Sequence, residues 1–145
     1  MKVYIDSKKI DPNSIDWNSV DPYSFPYRIV QSPGQKNPMG KLKFSFPNRY
    51  YVYMHDTPDT ALLNKSIRAF SSGCIRLANA KGLADYLLKQ DKGWASNTVD
   101  SLIISGQNIK VDMDKPVKVM VGYYTAWVND NGILQFTRDI YRKDN

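Results

Sequence analysis

The chain has 145 residues, 42% of them hydrophobic, enough for one domain with its own core and no need of disulfide staples or a structural metal. Twenty Lys and Arg stand against fourteen Asp and no Glu, and the net charge of +6 is spread without a run of more than two basic residues. It reads as a solvated basic surface or as attraction to an anionic polymer, nucleic acid or an acidic wall glycan. One His and one Cys exclude a His/Cys zinc site; no Asp pair marks a glycosidase, and no Gly-rich loop marks a phosphate binder.

In chain order, "KVYI" reads as a short strand and is followed by the turn-forming segments "DPNS" and "DPYSFP". This start lacks the charged head, apolar middle and small-residue cleavage site of a secretory signal. It fits a cytosolic protein, or a mature or internal piece of an exported one. "YRIVQ" (27–31) is expected as a strand, "SPGQKNPMG" (32–40) as a loop, and "KLKFSF" (41–46) as an alternating strand that breaks at Pro47. "YYVYM" (50–54), aromatic and β-branched, is a predicted strand that delivers His55 to its end. "DTPDTALLNKSIRAFSSG" reads as loop with one helical turn.

After Cys74, "NAKGLADYLLKQD" predicts a helix capped by Asn79 with Leu83, Leu87 and Leu88 on one face, and "SNTVDSLIISG" (96–106) a second, capped by Ser96 and stopped at Gly106. The end returns to β: Val117, Val119 and Val121 alternate, and "NDNG" (129–132) is a hairpin turn before "ILQFT". No run approaches the ~18 apolar residues of a membrane span. The expectation is one α+β domain over residues 1–145, built mostly on antiparallel or mixed sheet, with two helices inserted after the Cys.

The chemistry turns on "RAFSSGCIRL", which holds the lone Cys74, and on "YVYMHDTP", which holds the lone His55. A single Cys is most often a small buried hydrophobe, and a His at a strand end is most often structural. Here Ser71, Ser72 and Gly73 let the backbone turn sharply before Cys74 and aim consecutive N–H groups into one space, as an oxyanion requires. A neighbouring imidazole makes a thiolate near neutral pH. The spacing permits such a dyad without establishing it.

His, a loop, then Ser-x-Gly-Cys resembles the signature of the L,D-transpeptidases, the YkuD-type domains that cross-link bacterial peptidoglycan. The likeness is greatest to their large periplasmic subgroup. It is carried by His55-Asp56-Thr57-Pro58, Arg68-Ala69-Phe70-Ser71, Gly73-Cys74-Ile75-Arg76, the stretch "PGQKNPMGKLKFSFPN", and "YYTAWV" followed by Asp-Asn-Gly. The recognisable core runs from 27 to 141, leaving residues 1–26 as a divergent segment.

The resemblance implies a β-sandwich fold, Cys74 as acyl-accepting nucleophile and His55 as its base. It also implies an oxyanion hole of the Ser72, Gly73 and Cys74 N–H groups, and no metal or organic cofactor. Arg76 would contact a substrate carboxylate or make a structural ion pair; Arg68 and Asp56, with Thr57 and Ser71, would bind substrate or brace the loops. Many members carry a His just before the Gly-Cys pair, where this chain has Ser72. Members also have upstream strands and accessory segments, so the chain is expected to be a piece of a larger product, a trimmed chain or an unusually small member.

The implied activity joins third-position residues of peptidoglycan stem peptides in the periplasm, with carbapenems as inhibitors. Hydrolysis by the same dyad, as an L,D-carboxypeptidase, is the alternative enzyme; a catalytically degenerate wall-binding module is the alternative outside catalysis. A nucleic-acid-binding reading lacks a basic helix or an aromatic–basic cluster.

Overall fold

Three aspartates shape the first thirty residues. Asp11, Asp16 and Asp21 each accept a hydrogen bond from the backbone N–H two residues on, at 3.0, 3.1 and 2.8 Å. With proline at 12 and 22 these become short 3₁₀ turns. The Tyr23 N–H, then the Ser24 hydroxyl, hold the Asp21 carboxyl below its ordinary range. Before and after the turns run strands β1 (Lys2–Ile5), β2 (Lys8–Ile10) and β3 (Arg28–Val30), an antiparallel sheet in the order β2-β1-β3. Trp17, Phe25 and Tyr27 cluster beside it, with ring centres 5.6 and 5.7 Å apart for the Trp17–Tyr27 and Phe25–Tyr27 pairs. β2 had no alternation to announce it: "KKI" is a strand because β1 doubles back through Asp6 and Ser7, both at positive φ.

The computed structural model describes residues 1–144. A second sheet has the order β4 (Lys43–Phe44), β5 (Met54–His55), β6 (Ile75–Arg76), antiparallel between β4 and β5 and parallel between β5 and β6. Its strands are shorter than the alternation at 41–46 and 50–54 predicts. Asn48 is the reason. Its side chain donates to the carbonyls of Phe46 (3.0 Å) and Val52 (2.7 Å) and accepts from the N–H groups of Tyr50 and Val52 (3.1 Å each). Val52 thus gives both of its backbone groups to Asn48, and the ladder starts only at Met54.

The two helices follow β6, as expected. Asn79 caps α1 (Ala80–Lys92) by accepting from the Gly82 N–H at 2.9 Å, and Gly93 ends it in the left-handed region at φ +65°. The second helix, α2 (Thr98–Ile104), starts one residue later than Ser96 would have set: Asn97 occupies the N-cap, with no side-chain capping bond. Lys81 joins the pair, with Asp85 at 2.7 Å and Asp100 of α2 at 3.1 Å. Ala80, Ala84 and Val99 of these helices are buried, as is Val3 of β1.

The last sheet is the hairpin β7 (Ala126–Val128) and β8 (Leu134–Phe136). Its "NDNG" turn forms as read: the Asn129 side chain accepts from Asn131 and Ile133, and Gly132 takes φ +75°. The alternating Val117, Val119 and Val121 form no strand and stay exposed. Alternation marks a segment able to pair, and these residues have no neighbouring strand to complete a ladder. The whole is α+β and mostly β, in antiparallel and mixed sheets with two helices between.

Candidate active site

Strand pairing brings the two singular residues together. Lys43 lies opposite His55, and His55 opposite Arg76; Phe44, Met54 and Ile75 line up one step away and therefore point to the other face. The β5–β6 ladder is closed by Ile75 N–H to the Tyr53 carbonyl at 3.0 Å and Leu77 N–H to the His55 carbonyl at 2.9 Å. Continued one residue back, that register sets Cys74 beside Tyr53. One face of the sheet thus carries Lys43, Tyr53, His55, Cys74 and Arg76. His55 and Cys74 are diagonal neighbours, positions typically about 7–8 Å apart with Cβ atoms somewhat closer, within reach of an aromatic ring.

His55 is 6% exposed, and its Nδ1 lies 2.6 Å from the carbonyl oxygen of Asp56. A carbonyl only accepts, so Nδ1 is the donor, and in the neutral ring the lone pair is on Nε2. The backbone of the next residue therefore selects the tautomer.

Cys74 is half-buried at the end of an exposed turn. Ser71 ties that turn: its hydroxyl donates to the Cys74 carbonyl at 2.7 Å and accepts from the Gly73 N–H at 3.2 Å. Gly73 has φ +140°, and a Cβ there would meet Val52 Cγ1 at 2.8 Å, so only glycine fits. The Ser72 and Cys74 N–H groups have no acceptor among the described residues, whereas that of Gly73 is engaged by Ser71.

Tyr53 was not among the residues that the motifs singled out. Its hydroxyl donates to the Met39 sulfur at 3.1 Å and lies in hydrogen-bonding reach of Cys74. Burial first, then the hydrogen bond and charge of Cys74, raise the phenol above its ordinary value of 10.0, so it remains a donor at neutral pH. The signal was available: Tyr53 is two residues before His55 in a strand-like run, hence on the same face.

The remaining predicted residues divide between bracing and open positions. Asp56 accepts from the Lys41 N–H at 2.9 Å, and its carboxyl fills the space over Gly40, where a Cβ would collide with Oδ2. Thr57, 6% exposed, accepts from the Asp59 N–H. Arg68 donates to the Leu63 carbonyl at 3.3 Å, across the loop that leads to the Cys turn. Arg76 makes no ion pair with any described residue, which leaves its charge unmatched on the reactive face. A cavity of about 340 Å³, lined by Gly40, Asp56, Thr57, Lys81 and Ile103 among others, lies beside these braces and includes neither Cys74 nor His55. Among the described residues no group of His, Cys and Asp has the spacing of a metal site.

A His on β5 and a Cys at the turn that leads into β6, with a protonated tyrosine beside the thiol and a glycine turn behind it, form a site suited to cysteine chemistry. The sequence model of the YkuD family, described as the L,D-transpeptidase catalytic domain, matches residues 2–119. A Haemophilus influenzae protein provisionally named an L,D-transpeptidase is 37% identical over 135 residues, 93% of this chain and 27% of that protein. The chain belongs to the YkuD-type L,D-transpeptidase family, and it spans about a quarter of the length of that relative. The family match begins at residue 2, in β1, and ends at residue 119.

Proposed function

We propose that residues 1–145 act as one L,D-transpeptidase catalytic domain that joins third-position residues of peptidoglycan stem peptides in the bacterial periplasm. The observation that carries this reading is the pairing of β5 with β6, which sets His55 and Cys74 on one face of one sheet.

In this reading His55 Nε2 takes the thiol proton, and the Cys74 thiolate attacks the carbonyl of the third residue of a stem tetrapeptide. The negative oxygen is met by the N–H groups of Ser72, Gly73 and Cys74. That of Gly73 exchanges its 3.2 Å bond to the Ser71 hydroxyl for the stronger anionic acceptor. The C–N bond breaks, the terminal D-Ala nitrogen leaves with the proton from His55, and a thioester remains on Cys74. An amine of a second stem attacks the thioester, gives a proton to His55, and releases the thiolate. No step needs a metal or organic cofactor. The exposed turn at Ser71–Gly73 suits a polymeric substrate that approaches from outside. Among the described residues no helix is long and apolar enough to cross a membrane.

The test is mass spectrometry of the protein with a stem tetrapeptide, with and without an acceptor amine. The expected result is one acyl group on Cys74, loss of D-Ala, and a cross-linked product when the amine is present. A carbapenem should acylate the same residue, since its strained carbonyl is an acyl donor. Cys74→Ala should show none of these. Release of a free tripeptide despite abundant amine would make the enzyme a carboxypeptidase. Labelling of Cys74 by a simple alkylating reagent but by neither donor would make it a binding module.

A further inference from the structure

Two cations flank His55 on the reactive face, and neither has a carboxylate partner among the described residues. Arg76 is on β6, on the same strand side as Cys74. Lys43 is on β4, across His55 from it. Although Lys43 is an exposed residue, its ammonium does not extend away from the sheet: Nζ lies 4.1 Å from the centre of the Tyr53 ring. An exposed cation–π contact alone contributes little. Its effect here is to hold a positive charge over the face that carries the thiol.

The order of the strands gives that charge a direction. The acyl carbon bonds to Cys74, at β6. The leaving nitrogen takes its proton from His55, on β5. The expelled residue therefore extends from β6 across β5 toward β4. In an amino acid the carboxylate carbon is two bonds, about 2.5 Å, from the amine nitrogen, roughly half of one strand spacing of about 4.8 Å, and the Lys43 ammonium, which reaches back from β4 over the Tyr53 ring, covers the rest. The next cation along that line is Lys43, while Arg76 lies behind, on the acyl side.

We propose that Lys43 binds the terminal carboxylate of the residue expelled from the donor peptide and so selects donors that end in a free acid. The inference rests on the acyl-transfer reading of Cys74 and His55, and it assigns the terminal carboxylate of the donor to Lys43 on β4 and not to Arg76 of the Cys74 motif. A charge-assisted bond of this kind discriminates by about 10- to 100-fold.

The experiment compares a tetrapeptide donor that has a free C-terminal carboxylate with its C-terminal carboxamide, using kcat/KM for acylation of Cys74. The unaltered protein should prefer the acid by about 10- to 100-fold. Lys43→Met and Lys43→Gln should react with acid and amide alike, at the rate the unaltered protein shows with the amide; Lys43→Arg should keep most of the preference. The proposal is overturned if the preference survives in both neutral variants, if it vanishes only in Arg76→Met, or if Lys43→Met slows both donors equally. That last result would mean support of the thiol or of the sheet. A protein that acylates without preferring the acid overturns this inference alone. One that forms no thioester with either donor overturns the acyl-transfer reading, and this inference with it.

Discussion

Gly73→Ala is the substitution for which the structure makes the most direct demand. At φ +140° an L-residue is strained, and the new methyl would stand 2.8 Å from Val52 Cγ1, inside van der Waals contact. Backbone strain of this kind costs about 1–3 kcal/mol, and overpacking a similar amount, about 1–3 kcal/mol. A domain stable by about 5–15 kcal/mol survives that penalty if the turn yields, and this turn is exposed on the Ser71–Gly73 side. The expected outcome is a folded protein whose turn has rotated, with the Ser72 and Cys74 N–H groups aimed away from the acyl oxygen. Loss of one such donor lowers turnover about 100- to 1,000-fold. Urea denaturation followed by tryptophan fluorescence would give the stability loss, and mass spectrometry the rate of Cys74 acylation. Adding Val52→Ala removes the contact but not the strained φ. The double variant should therefore regain part of the stability and little of the rate. Acylation of Gly73→Ala at the native rate would refute the reasoning, since the turn geometry would then be irrelevant to the chemistry.

His55→Ala should slow acylation by at least about 100-fold, the usual contribution of a positioned base, and should change the pH profile of thiol alkylation; superimposable profiles would mean that His55 does not activate Cys74. Asp91 offers a test of stability against pH. Burial pushes its carboxyl up, but the Asp114 and Lys115 N–H groups and the Lys92 charge outweigh this and hold it below its ordinary value of 3.8. A carboxyl lowered on folding stabilises fully above the unfolded value and loses that contribution as pH falls through the folded one. Asp91→Asn should therefore lower the melting temperature at pH 7, with the gap to the unaltered protein closing as pH falls below about 4; a gap constant with pH would show that the carboxylate charge is not what ties 114–115 to the end of α1.

What the sequence determined by itself is what a few adjacent residues can encode. The Asp-Pro turns at 11–14 and 21–24, the Asn79 cap and Gly93 stop of α1, and the Asn129–Gly132 hairpin each satisfy their own backbone groups within about five positions. The His55 and Cys74 motifs belong here as well, because their residue types and order carry the family resemblance. Partners distant along the chain had to come from the tertiary structure. Only pairing of β5 with β6 sets Tyr53 against Cys74, and only pairing of β4 with β5 brings Lys43 opposite His55. The extent of a strand is likewise a property of its neighbours: Asn48 takes the Val52 backbone and shortens β5, while the well-alternated Val117–Val121 stays unpaired. Alternation states which face a side chain will take, but a ladder needs a second strand, and its register decides which side chains meet.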